Sequence, residues 1–204
     1  MSFITGTQAE LLYSMPATGV SVTGTNSTTS ADLITPQNSS NAPPYQLPAY
    51  FFPNTYGVGK SLLIQGGGTV LSGPATQNVA FALFANTTAG TALTLLARTG
   101  LFQPLPTTGA TGAFMFEILL TGTTVGTSTT LNTVGVLNTG TVLTVATSST
   151  ATVPSAGTSI MMGSATQPVI NNATAYFIEM FAYFGATTTT QAVTLTNMTV
   201  WGLN

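Results

Sequence analysis

Only six of the 204 side chains carry a formal charge: Glu10, Asp32, Lys60, Arg98, Glu117 and Glu179. An ordinary globular domain is about one quarter charged, against 3% here. The deficit takes away Lys, Glu and Arg, which are strong helix formers, while Thr supplies about one residue in five and Gly about one in ten. Helix is therefore disfavoured almost everywhere, and β structure is what remains. An apolar fraction of 44% over this length buries one substantial core. With so little charge repulsion on its surface, a free monomer of this kind tends to self-associate, which suits a subunit of a larger assembly.

The same poverty excludes partners and chemistry. Binding a phosphate backbone takes several basic side chains and only Lys60 and Arg98 exist, so nucleic acid is not expected. Without cysteine there is neither a disulfide framework nor a cysteine-ligated zinc site. Met1-Ser2-Phe3-Ile4-Thr5-Gly6 lacks the basic start and apolar run of a signal peptide, so export by that route is not expected. No window approaches the ~20 continuous apolar residues of a spanning helix, so no membrane partner is expected either.

Residues 1–45 are rich in Ser, Thr, Asn and Pro and break at Asn38-Ser39-Ser40-Asn41-Ala42-Pro43-Pro44. They read as an extended N-terminal arm with at most a short helical turn near Gln8 to Tyr13. Leu11, Leu12, Tyr13 and Met15 are apolar anchors for a neighbouring subunit. Residues 46–204 read as one antiparallel β-sandwich of jelly-roll type, with around eight strands. Lys60 to Gln65 is a strand closed by Gly66-Gly67-Gly68; Asn78 to Phe84 and Leu93 to Thr99 are two more. In Ala113 to Thr121, Phe114, Phe116, Ile118 and Leu120 oppose Met115, Glu117 and Leu119. Tyr176 to Phe184 repeats the design, and strands with two apolar faces are expected to be covered on both sides. Two or three strands fall within Thr121 to Thr158. The closing run Ala192 to Trp201 changes alternation phase at Thr196-Asn197, which a β-bulge explains.

No catalytic set emerges. The chain has no His and four scattered acids, so general acid-base work, metal binding and an activated Ser or Thr nucleophile all lack their partners, and neither cofactor nor metal is expected. Gly57-Val58-Gly59-Lys60-Ser61 resembles the end of a phosphate-binding loop, but Asn54 stands where the first Gly belongs and Leu62-Leu63-Ile64 continues as strand. Glu117 and Glu179 sit mid-strand among apolar neighbours. Each is expected to pair with Arg98 or Lys60, or to make an inter-subunit contact. The Asn-x-Ser/Thr triplets at Asn26, Asn38, Asn86, Asn172 and Asn197 are frequent by chance at this Thr content. Tyr45, Tyr50, Phe51, Phe52 and Tyr56 read as a hydrophobic plug at the junction of arm and domain, with a sugar-binding platform as the other reading.

Leu47-Pro48-Ala49-Tyr50-Phe51-Phe52, then Tyr56 to Ile64, a Gly turn and Val79-Ala80-Phe81-Ala82-Leu83 resemble small virion proteins of tailed bacteriophages. Ala175 to Met180 and the close from Val193 to Asn204 fit the same pattern, so the resemblance spans about residues 47–204. It implies a jelly-roll-like sandwich, commonly a homotrimer, that decorates or cements a capsid or belongs to a tail. On this reading the partners are copies of the chain and the major capsid protein or other virion proteins, and the location is the virion. The competing function is a minor tail or fibre-tip module that binds host glycan.

Overall fold

The computed structural model describes residues 9–15, 19–23, 32–33, 35, 45–52, 60–73, 78–89, 94–103, 109–139, 144–145, 158–185 and 190–203. Gln8, the Asn38 to Pro44 break, Tyr56, the Gly57-Val58-Gly59 turn and the Asn26 triplet lie outside them. Among the described residues there are strands and no helix. In chain order the strands begin with β1 (Ala9–Ser14), β2 (Val20–Thr23), β3 (Asp32–Leu33), β4 (Gln46–Leu47) and β5 (Ser61–Leu71). There follow β6 (Val79–Asn86), β7 (Thr94–Arg98), β8 (Phe102–Gln103), β9 (Thr111–Gly122) and β10 (Ser128–Thr139). The last are β11 (Thr144–Val145), β12 (Thr158–Met162), β13 (Val169–Asn171), β14 (Tyr176–Phe184) and β15 (Ala192–Leu203).

They form two antiparallel sheets packed face to face, the β-sandwich expected from the alternation. The larger sheet runs β1-β15-β5-β9-β10-β12, with β2 also on β15 and β13 also on β10. The smaller runs β11-β8-β6-β14-β3, with β4 on β14 and β7 on β6. The chain crosses between the sheets repeatedly, and because β5 pairs with β15 and β6 with β14, its last long strands lie beside its first, as in a Greek key. At one side the sheets are joined: the Arg98 amide donates to the Gly163 carbonyl at 2.8 Å and the Gly163 amide to the Arg98 carbonyl at 3.1 Å.

The core lies between the inward faces. Leu62, Ile64, Phe114, Phe116, Ile118 and Leu120 meet Val79, Phe81, Leu83, Ile178 and Met180. Phe81 is its hub, with ring centroids 4.7 Å from Phe114 and 6.0 Å from Phe102. Each such buried side chain contributes about 1.5–3 kcal/mol.

Two local expectations are overturned. Gly66-Gly67-Gly68 does not close a strand; β5 runs through it to Leu71, paired with β9 on one side and β15 on the other. The glycines are there for space: a Cβ on Gly66 would stand 2.5 Å from the Phe116 ring, and one on Gly68 would collide with the Thr194 carbonyl. Gly68 lies beside the expected bulge, where Leu195 pairs with Gly68 and Asn197 with Gly67, leaving Thr196 unpaired. The Thr196 hydroxyl donates to the Gly67 carbonyl at 3.0 Å. The turn expected near Gln8 to Tyr13 is instead strand β1, because the open edge of β15 offers that segment a ladder from Ala9–Leu203 to Ser14–Thr199. Within residues 1–45, β2 also runs on β15 and β3 on β14.

Candidate functional site on the open face of the larger sheet

Strands β9 and β14 carry the same sequence design and meet different surroundings. Both faces of β14 are covered within the chain: Ile178 and Met180 point into the core, while Phe181 packs with Phe84 and Ala82 in a second cluster flanked by Leu95 and Tyr183. Phe84 and Phe181 meet edge to face at 5.2 Å. The inner face of β9 is buried likewise, but its outer face is open. Met115 is 68% exposed and Leu119 37% exposed.

Register turns those side chains into rows across the sheet. Leu11, Trp201, Leu63, Leu119 and Val134 are successive cross-strand partners on β1, β15, β5, β9 and β10. The next row is Thr199, Gln65, Glu117, Val136 and Met161, and the one after it Asn197, Gly67, Met115, Asn138 and Ser159. Met161 is 69% exposed and Val134 53% exposed. Over Gly66 and Phe116 the face sinks into a hollow of about 430 Å³ bounded by Gln65, Met115, Glu117, Val136, Asn138 and Asn197. The only charge in these rows is Glu117, and Gln65 Nε2 donates to its Oε2 at 2.7 Å. Ser159 Oγ donates to Asn138 Oδ1 at 2.5 Å, and Trp201 Nε1 to Thr199 Oγ1 at 3.3 Å. A half-apolar face with a single charge has the chemistry of a packing surface.

The other residues singled out from sequence fall elsewhere. Met15 is buried in the chain's own core, Leu12 and Tyr13 pack against it, and Leu11 alone of the four is exposed and lies in the first row. Burial raises the Tyr13 hydroxyl pKa, and that of Tyr45, whose ring lies 5.6 Å away. The expected pairing of Glu117 with a cation is not formed, and the described cations lie over aromatic rings. The Arg98 guanidinium sits 4.4 Å over the Tyr183 ring and Lys60 Nζ 4.5 Å over Phe51. Burial raises the Tyr183 pKa and the nearby Arg98 partly offsets it. Glu179 is fully buried and accepts from Asn86 Nδ2 at 2.5 Å, so a carboxamide sits where Arg98 or Lys60 was expected. Tyr45, Phe51 and Phe52 are buried as a plug, Phe52 against Gly122 and Phe51 near Gly202, with Asn172 Nδ2 donating to the Phe52 carbonyl. Tyr50 is exposed, with φ of 61°.

Leu63, Val134, Val136, Met161 and Trp201 were not singled out from sequence. Leu63 and Trp201 lie in strands that the sequence showed, Val134 and Val136 in a stretch whose strand boundaries it left open, and Met161 beyond the strands it indicated; a shared row further requires the register of five strands. Among the described residues no three of His, Cys, Asp and Glu are grouped to hold a metal ion.

These features define an antiparallel β-sandwich with one open, nearly neutral sheet face. No family model and no curated protein matches the chain. Among solved structures it is similar to a chain in a structure of infectious bursal disease virus, Gt strain, at 12% identity and a TM-score of 0.29. The match covers 98% of this chain and 42% of that one, so the chain spans less than half the length of its neighbour.

Proposed function

We propose that the chain is a non-enzymatic structural protein of a virus particle, a decoration or cement subunit of a bacteriophage shell. The observation that carries the reading is the open face of β9: a strand with two apolar faces, built like β14, whose outer side chains Met115 and Leu119 remain exposed in the isolated chain. Such a face is stabilised when another subunit covers it, and apolar and backbone contacts need few charges. The chain has only six charges, and four of them are engaged within it: Lys60 and Arg98 lie over its own rings, and Glu117 and Glu179 accept from its own amides. Copies of the chain and the major shell protein are the partners this chemistry fits. Repetition in a symmetric shell multiplies modest contacts into a stable coat.

The experiment is cryo-electron microscopy of the native particle. A regular lattice of this sandwich on the shell is the expected result. Density confined to a few copies at the tail would replace the cement role by a tail role, and absence from purified particles would overturn the reading altogether.

A further inference from the structure

We infer that Tyr50 is the stacking residue of a saccharide-binding site, set where the turn before β5 meets the loops that follow β9 and β13. The inference goes beyond the structural-subunit reading, and the two stand or fall separately.

The backbone carries the first argument. The Phe51 amide donates to the Pro48 carbonyl at 3.3 Å, which closes a four-residue turn over Pro48, Ala49, Tyr50 and Phe51. Tyr50 has φ of 61° and Ala49 has no positive φ, so the turn is of type II. The third position of such a turn favours Gly or Asn, and a bulky side chain is strained there. Packing within the chain does not explain the choice. Tyr50 is 56% exposed while Phe51 and Phe52 are buried, and no described hydrogen bond or ring contact engages its side chain. The Tyr50 amide donates to the Asn172 carbonyl at 2.6 Å, a bond that any residue except Pro would make. Strained positions of this kind cluster at binding sites.

The surroundings carry the second. Asn172 is buried and ties three segments together: its carbonyl accepts from Tyr50, its amide donates to the Thr127 carbonyl at 2.7 Å, and its Nδ2 donates to the Phe52 carbonyl. The Pro48 turn, the loop between β9 and β10 and the turn between β13 and β14 are thereby held as one preorganised platform. Beside Tyr50 it presents the exposed Thr127, Ser128 and Asn171. Asn171 Oδ1 accepts from the Ala173 amide at 3.0 Å, which orients the carboxamide and leaves its NH2 to donate outward. Residues 45–52, 122–130 and 169–174 contain no charged side chain, and Lys60 Nζ is engaged 4.5 Å over the Phe51 ring. These groups select the ligand class. A sugar has an apolar C–H face that stacks on a phenol ring and a rim of neutral hydroxyls that bond to carboxamides and hydroxyls. An anion would need a free cation, and an extended peptide an open strand edge rather than a turn.

The test applies the purified full chain to a printed array of neutral, N-acetylated and acidic oligosaccharides, then titrates the best-bound sugar as a free oligosaccharide. Tyr50→Gly, Tyr50→Asn and Tyr50→Phe are compared with wild type, with melting and sedimentation of each. The expected result is that wild type binds a neutral or N-acetylated sugar, that Tyr50→Gly weakens this binding at least about tenfold, and that Tyr50→Phe keeps it. Tyr50→Gly should also melt at or above the wild-type temperature, because glycine relieves the turn; Tyr50→Asn, which the turn also accepts, serves if the glycine variant misfolds. A wild-type chain that binds no sugar on the array overturns the inference, as does sugar binding that the glycine and asparagine variants leave intact. A melting temperature lowered in both variants would make Tyr50 a structural residue, and a wild-type oligomer that both dissociate would make it a protein contact; either result overturns the saccharide site. The subunit reading is judged apart, by whether the chain is present in particles.

Discussion

An alanine at Gly66 is expected to destabilise the sandwich, although glycine-to-alanine changes within strands commonly do the reverse. The position faces inward on β5, where an added Cβ would stand 2.5 Å from Phe116 Cζ and 2.7 Å from the Asn197 carbonyl oxygen. Neither neighbour can give way cheaply: Phe116 is buried in the core, and Asn197 is held in the ladder between β15 and β5. Overpacking of this kind costs about 1–3 kcal/mol. The stiffer unfolded chain returns about 0.4–1 kcal/mol. A net loss of about 1–2 kcal/mol lowers the melting temperature of a chain this size by roughly 2–8 °C. Gly100→Ala is the companion, since a Cβ there meets nothing within 4 Å, and it should be neutral or stabilising by up to about 1 kcal/mol. Urea unfolding of the three proteins reads both effects, the midpoint moving and the slope m staying constant. If Gly66→Ala matches or exceeds wild type, the close approach of β5, β9 and β15 at this point is refuted, and the glycine run has room to spare.

Three further perturbations test other parts of the fold. Asn86→Ala strips an amide from the fully buried Glu179 carboxylate and should cost about 1–3 kcal/mol in the same assay. Phe181→Ala opens a cavity against Phe84 and should cost about 3–5 kcal/mol by thermal melting; a loss below 1 kcal/mol would mean that the second cluster is not packed. Burial raises the Tyr45 pKa above its ordinary 10.0, so the unfolded chain releases that proton first as pH rises. Stability is then constant below about pH 10 and falls above it. The Tyr45 hydroxyl has no hydrogen-bond partner among the described residues, so Tyr45→Phe should be neutral or stabilising by up to about 1 kcal/mol at neutral pH and should flatten that alkaline fall, read by melting curves from pH 8 to about pH 11.

What was legible in the amino-acid sequence was whatever rests on neighbours in the chain. Strands β9 and β14 were read from two-residue alternation, β6 from its continuous apolar run, and the bulge at Thr196 from a change of phase, because side-chain direction in a strand is a local property. The absence of helix among the described residues followed from propensity, and the difficulty of placing charges from there being six of them.

Tertiary structure decided what depends on partners far away in sequence. Gly66-Gly67-Gly68 has the composition of a turn, and only the approach of Phe116 and Thr194 makes it a strand. Ala9–Ser14 becomes strand because β15 has an edge to offer some 190 residues later. Lys60 and Arg98 found aromatic rings rather than Glu117, since opposite charges attract only where the fold brings them together. The open face rests on the same physics. Met115 and Phe181 look alike as members of doubly apolar strands, but the chain covers one and leaves the other exposed, and burial is settled by packing rather than by pattern.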